Sequence, residues 1–261
     1  MEKIGLKEIQ QHLLGIAKEF DRICTKNNIP YYMTYGTMLG AVRHKGFIPW
    51  DDDMDFGVPI EYYQRLIEIL EKELQPPYRC CTFRNNSSTI FVFIKIEDSS
   101  TLMYKEELRV PKEQQMGVNI DIFPLNRCNI DDPRPFKLRK MSRLLGIAFV
   151  DSQTNKSVLR KIEKWGLRIL LGGRPIYLQR RIEKLMYQVN NGDRMGFVLG
   201  AATRKTVPLA WYGEGKRYQF EDITLIGPDN YDGYLTHLFG DYMTLPPEDK
   251  RPSHSENVYL R

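Results

Sequence analysis

The chain has 261 residues, of which 42% are hydrophobic and 27% charged, with a net charge of +5 and a sequence pI near 8.9. Such a length and apolar content supply a substantial core, in one elaborated domain or two intimate ones, and argue against a disordered chain. The mild positive charge suits an anionic partner such as a nucleotide, a phosphoglycan or a lipid headgroup, without choosing among them.

Four cysteines, Cys24, Cys80, Cys81 and Cys128, include no C-x-x-C pair, which excludes a zinc knuckle and a thioredoxin motif. Reduced thiols in a cytoplasmic protein are expected. The first residues run straight into an amphipathic pattern without the apolar centre of a signal peptide. Nowhere do about 18 apolar residues follow one another, so no membrane span is expected.

Leu6, Ile9, Leu13, Ala17, Phe20 and Ile23 recur at three- and four-residue spacing and predict an opening helix, stopped at Asn27 to Pro30. Tyr31 to Tyr35 reads as a strand, and Gly36-Thr37 then opens a short helix through Val42. A loop over 44–50 leads to a strand over 51–58 with an acidic first half. Pro59 breaks it, and a second amphipathic helix runs through Tyr63, Leu66, Ile67, Leu70 and Leu74. Strands are expected over 78–83, 90–96 and 118–123. From Arg134 to Asn190 the chain becomes Arg/Lys-rich and amphipathic, which predicts a helical insertion with either a solvated basic face or a surface towards an anionic acceptor or membrane. A hairpin over 218–226, a helix over 231–239 and an extended tail follow. The expected division is a catalytic core over 1–133, a helical subdomain over 134–192, and a C-terminal segment over 193–261 that packs back on the core. The fold class is α+β: a mixed β-sheet domain with flanking helices.

The most informative stretch is Asp51-Asp-Asp-Met-Asp-Phe. Alternation on a strand sends Asp51, Asp53 and Asp55 to one face and Asp52, Met54 and Phe56 to the other. Three like charges on one face are relieved by solvent, by raised pKa values or by a divalent cation. A solvated turn is the plainer reading, but the large apolar flanks Trp50 and Phe56 argue against it. Hard oxygen donors without His or Cys point to Mg²⁺ or Mn²⁺. Asn119-Ile-Asp-Ile-Phe offers a further carboxylate: with Ile120 and Ile122 facing the core, Asn119, Asp121 and Phe123 face the other way.

Gly36 lets a phosphate approach helix-terminal amides, and Thr37 serves there or as an N-cap. Arg43, His44 and Lys45 lie between this turn and the acidic segment, where one or more would grip the donor phosphate or the acceptor. Arg43 is best matched to paired phosphate oxygens. Lys95, among apolar neighbours, is a strand-edge lysine or a phosphate partner. His254 reads as structural or solvent-exposed.

The segment from Gly36 through Asp55, with Asp121-Ile-Phe-Pro-Leu and more loosely Phe239-Gly-Asp-Tyr-Met-Thr-Leu-Pro-Pro, resembles the signature of LicD-type phosphotransferases. That family is named for transfer of phosphocholine from CDP-choline to glycans and is related to fukutin-type transferases, which move ribitol phosphate from CDP-ribitol. The resemblance implies a nucleotidyltransferase-like fold, a CDP-linked donor, and a hydroxyl of a glycan or lipid-linked glycan as acceptor, as in lipopolysaccharide or teichoic acid synthesis. It also implies Gly36 and Thr37 near the donor phosphate, Asp53 and Asp55 as paired Mg²⁺ ligands, and Asp121 as third carboxylate. Asp51 and Asp52 fall outside that set. A lipid-linked acceptor would bring the protein to the inner face of the membrane as a peripheral contact. Two other readings are a nucleotidyltransferase consuming a nucleoside triphosphate and a non-catalytic glycan-assembly subunit. No nucleic-acid reading motif is present.

Overall fold

The computed structural model describes residues 1–86, 89–104, 114–149, 158–170, 174–251 and 257–261. Helix α1 (Leu6–Lys26) buries Ile9, Leu13, Ile16, Ala17, Phe20 and Ile23, and the Asn27 side chain ends it by donating to the Ile23 carbonyl at 3.0 Å. Strand β1 spans only Tyr32–Met33. The strand expected to reach Tyr35 stops short, because Tyr35 takes a left-handed φ of 45° and itself begins helix α2 (Tyr35–His44). Strand β2 (Asp55–Pro59) leads directly into α3 (Ile60–Glu73), then β3 (Tyr78–Cys81), β4 (Ile94–Asp98), β5 (Thr101–Met103) and β6 (Asn119–Cys128).

Three helices follow, α4 (Pro133–Phe149), α5 (Val158–Leu170) and α6 (Ile176–Gln188). The remainder comprises β7 (Arg194–Gly196), the short helix α7 (Val198–Ala201), β8 (Val207–Pro208), β9 (Lys216–Phe220), β10 (Ile223–Gly227), α8 (Tyr231–Phe239) and β11 (Val258–Leu260). His254 lies outside the described residues.

The main sheet runs in the order β1-β2-β6-β4-β3, with β7 on β6 and β8 on β7. Only β2 and β6 are parallel; β1, β4, β3, β7 and β8 join antiparallel. Mixed pairing and interspersed helices make the chain α+β. Strand β6 runs five residues beyond the expected end at Phe123, straight through Pro124. The Asp121 amide donates towards β2, to the Met54 carbonyl at 2.9 Å, so by alternation the position of Pro124 points towards β4. The β4 pairing has already ended there, at Ile94 opposite Ile122, and the missing proline donor breaks no ladder bond.

Helices α1 and α3 cover one face of this sheet. Phe56, Ile94, Ile96, Ile120 and Ile122 are buried there, Phe20 packs on Phe56 with ring centroids 5.1 Å apart, and the Tyr63 hydroxyl donates to the Ile122 carbonyl at 2.6 Å. The alternate residues of β2, β6 and β4 point to the opposite face. The β9–β10 hairpin turns through Glu221 and Asp222, with Phe220 opposite Ile223. Glu221 also ties the hairpin to the loop after α2 by accepting from the Phe47 amide at 2.9 Å.

Candidate active site

The register of three adjacent strands builds the site. Asp55 of β2 stands opposite Asp121 of β6, and Asp121 opposite Lys95 of β4, so three charged residues form one row across the face away from α1 and α3. The Lys95 ammonium donates to Asp121 Oδ1 and to Asn119 Oδ1 at 2.9 Å. Lys95 is not the strand-edge lysine of the first reading: β4 lies between β6 and β3, and there the ammonium neutralises a carboxylate of the row.

The acidic run enters this row differently from the expected strand. Asp51 to Met54 carry no strand structure, because β1 turns into α2 after Thr34 and gives this stretch no ladder partner on that side. Burial nonetheless alternates as expected: Asp52, Met54 and Phe56 are buried, whereas Asp53 is exposed and Asp51 and Asp55 are half-buried. Asp51 and Asp53 share a hydrogen bond.

Thr37 is not the N-cap of α2; that position is Thr34. The Thr37 hydroxyl instead accepts from the Asp55 amide at 2.7 Å and pins the start of β2 to the first turn of α2. Thr37→Val is therefore expected to destabilise the chain by about 1–3 kcal/mol, the cost of leaving a partly buried amide without an acceptor. Thr37→Ser should restore most of it in urea unfolding; a loss below about 0.5 kcal/mol would remove that role. Gly36 is also explained by a carboxylate from the chain itself, since a Cβ there would lie 2.9 Å from Asp51 Oδ2.

Charge is concentrated enough to perturb these acids. Burial, then Asp53 and Asp121, push the Asp55 carboxyl well above the ordinary carboxylate range, with Lys95 opposing. Burial, then Asp53, push Asp51 up to about 7. A divalent cation would reverse both shifts, and carboxylate oxygens suit Mg²⁺ or Mn²⁺. Among the described residues, no three His, Cys, Asp or Glu side chains are already drawn together as a ligand group, and the Lys95 ammonium holds Asp121. The oxygen donors suit the ion in kind but are not arranged around it, and binding through Asp121 would require Lys95 to yield that oxygen.

Arg43 and His44 occupy the last turn of α2, about 9 Å along the helix axis from Thr37. Arg43 donates from Nε to His44 Nε2 at 2.9 Å and from a terminal nitrogen to the Tyr242 carbonyl at 2.8 Å. Burial lowers the pKa of both, with Arg43 adding to the effect on His44, and so favours a neutral imidazole as acceptor. Their bonds join α2 to the C-terminal segment, and the acidic row receives none of them.

A second row, aromatic, lies beside the charged one. Phe123 follows Asp121 by two residues on the same face, as expected, and is the hub of a cluster. Phe197 stacks on it at 4.3 Å, Phe93 meets it edge-on at 5.0 Å, and Tyr35 meets it edge-on at 5.9 Å. Two ammonium groups already sit by these rings, Lys95 Nζ 5.5 Å from the Phe93 centroid and Lys205 Nζ 5.0 Å from that of Tyr35. The spacing of Phe93 with Lys95, and of Asp121 with Phe123, carried the signal for two of these rings. Phe197 and Lys205 join only through tertiary packing.

Residues 28–134, which include both acidic positions and Lys95, match the family model described as LicD/FKTN/FKRP, nucleotidyltransferase domain. The chain is 28% identical over 270 aligned residues to the lipopolysaccharide cholinephosphotransferase LicD of Haemophilus influenzae, covering 100% of both chains. An uncharacterized protein of Rickettsia typhi is 33% identical over 144 residues, 46% of this chain and 45% of that one. The mannosyltransferase regulator 4 of Saccharomyces cerevisiae is 28% identical over 68 residues, 26% of this chain and 6% of its own length. The core that carries the charged row is accordingly a LicD-family domain, in a chain that aligns from end to end with a LicD cholinephosphotransferase.

Proposed function

We propose that this protein transfers phosphocholine from a CDP-linked donor to a hydroxyl of a lipopolysaccharide glycan. The reading rests on one juxtaposition: the row Asp55, Asp121 and Lys95 lies one two-residue strand step, about 6.6 Å, from the aromatic cluster around Phe123 on the same sheet face. A phosphoryl group and a quaternary ammonium two carbons away need such a pair of environments, one that handles phosphate charge and one that presents aromatic faces to a cation. The full-length relative whose name specifies cholinephosphotransfer supports the same substrate class.

In this reading the acceptor oxygen attacks the phosphorus that bears choline, a new P–O bond forms, and the bond to the bridging oxygen breaks as CMP leaves with the electron pair. Asp53, Asp55 and Asp121 would hold Mg²⁺, which supplies neutralisation of the diphosphate and of the charge developing on CMP. Lys95, released from Asp121, donates to a donor phosphate oxygen. A carboxylate of the row, Asp121 foremost, accepts the proton of the attacking hydroxyl. Tyr35, Phe93, Phe123 and Phe197 orient the trimethylammonium.

The test is product analysis with CDP-choline, CDP-ribitol, CDP-glycerol and CTP, each with Mg²⁺ and a deacylated lipopolysaccharide acceptor. CMP release with CDP-choline alone is expected. Pyrophosphate release from CTP would replace the reading with nucleotidyl transfer, and preferential use of a polyol donor would overturn the headgroup assignment. Phe123→Leu keeps an apolar side chain but loses the π face, and is expected to raise KM for CDP-choline about tenfold, in line with a desolvated cation–π contact of about 1–2 kcal/mol.

A further inference from the structure

Charge and apolar surface are unevenly distributed in this chain. Residues 134–190 contain fourteen Lys and Arg against three Asp and Glu, whereas the whole chain is only +5. The same segment exposes Phe136, Ile147, Ile162, Trp165, Ile169 and Tyr177, all more than 40% accessible. We infer that helices α4, α5 and α6 form a docking surface for an anionic lipid bilayer.

Helix α5 carries the argument furthest. Ile162, Trp165 and Ile169 fall at i, i+3 and i+7 and therefore within about 60° of arc on one side of the helix. They are 59%, 67% and 58% exposed. Arg168 is turned the other way: its Nε donates to the Ala148 carbonyl near the end of α4, and its guanidinium lies 5.9 Å from the Phe149 ring. An apolar stripe pointing outwards while an arginine packs inwards inverts the usual pattern of a helix on a globular surface.

The neighbouring helices supply the charge. α4 packs against both α5 and α6. On α4, Phe136, Lys140, Arg143 and Ile147 are exposed at helical spacing on one side, and on α6, Tyr177, Arg180, Arg181 and Lys184 are exposed likewise. Basic residues in register with Phe, Tyr and Ile, beside a helix showing Trp and Ile, match a helix bundle that lies in the plane of an anionic headgroup layer with its apolar side chains in the acyl boundary. No helix among the described residues is long and apolar enough to cross a membrane, so the surface lies on the bilayer. A second copy of the chain is a poor occupant, because two such strongly basic faces repel. Nucleic acid would use the arginines and lysines but leave the Ile162–Trp165–Ile169 stripe in water.

The experiment is co-sedimentation of the full chain with vesicles of phosphatidylcholine alone and of phosphatidylcholine mixed with phosphatidylglycerol, at low and high salt. It does not depend on the transfer reaction, so its outcome stands apart from that of the activity assay. Partition onto the anionic vesicles, weakened at least tenfold by salt and about 100-fold by Trp165→Glu with Ile169→Glu, is the expected result. Both side chains are exposed, so the double variant should melt as wild type does and keep its activity on a delipidated acceptor. Absent binding to anionic vesicles, equal binding to neutral ones, or dimerisation in ultracentrifugation that the same double variant abolishes would overturn the inference.

Discussion

Asp55→Asn and Asp121→Asn are each expected to lower kcat/KM for phosphocholine transfer by about 10³-fold, with protein that is folded. These carboxylates stand opposite one another across the β2–β6 pair, and in the proposed mechanism the Mg²⁺ they would hold neutralises diphosphate charge worth several kcal/mol in the transition state, about 1.4 kcal/mol for each factor of ten. A loss smaller than tenfold in both variants would remove the row from the reacting centre. The stability effect runs in the opposite direction. The Asp55 and Asp51 carboxyls stand above their ordinary value of 3.8, Asp51 at about 7, so the folded chain retains protons that the unfolded chain has released. Metal-free protein is then most stable below about pH 4 as far as these groups are concerned, and the contribution is lost as pH rises through about 7 and beyond. Urea midpoints in EDTA should fall across that window, the fall should be smaller in Asp55→Asn, and added Mg²⁺ should flatten it in wild type. A midpoint that rises with pH across the window in EDTA would contradict the assignment.

Lys95→Met is expected to separate metal affinity from turnover. In the structure the Lys95 ammonium is the counter-ion of Asp121 and is itself half-buried over the Phe93 ring. Removing it leaves Asp121 and Asp55 adjacent without the ammonium that holds Asp121, which favours a divalent ion; half-maximal thermal stabilisation by Mg²⁺ should need about tenfold less metal. The charge-assisted bond proposed from Lys95 to the donor phosphate would be lost at the same time, and kcat should fall about 10²-fold. Tighter Mg²⁺ binding with unchanged turnover would restrict Lys95 to balancing Asp121. Weaker Mg²⁺ binding would show that the lysine organises the carboxylates.

The acidic positions were legible because alternation is a local property. Two-residue periodicity separates Asp51, Asp53 and Asp55 from Asp52, Met54 and Phe56 whether or not a ladder forms, and burial follows that split even though the strand starts only at Asp55. The opening helix, the orientation of Asp121 and Phe123, the β9–β10 hairpin and α8 were legible for the same reason: the spacing of their apolar residues reports one element and one face. Strand ends were less so. The sequence around Tyr35 does not reveal the left-handed turn into α2, and β6 runs past the expected end at Phe123 through Pro124, where the neighbouring strand has already stopped.

What the sequence by itself determined is which residues carry charge and which side of each element they take. Which strands become neighbours, and in what register, was decided by the tertiary structure alone, since pairing between residues 55, 121 and 95 depends on the connections between distant strands and on two covering helices. That register turned Lys95 into the partner of Asp121. Packing likewise gave Thr37 to the Asp55 amide and Gly36 to the Asp51 carboxylate. It also gathered Phe197 and Lys205 beside Phe123 and Tyr35, and left Ile162, Trp165 and Ile169 facing water. Periodicity reports a side of a helix or strand, but only the packed chain decides what that side meets.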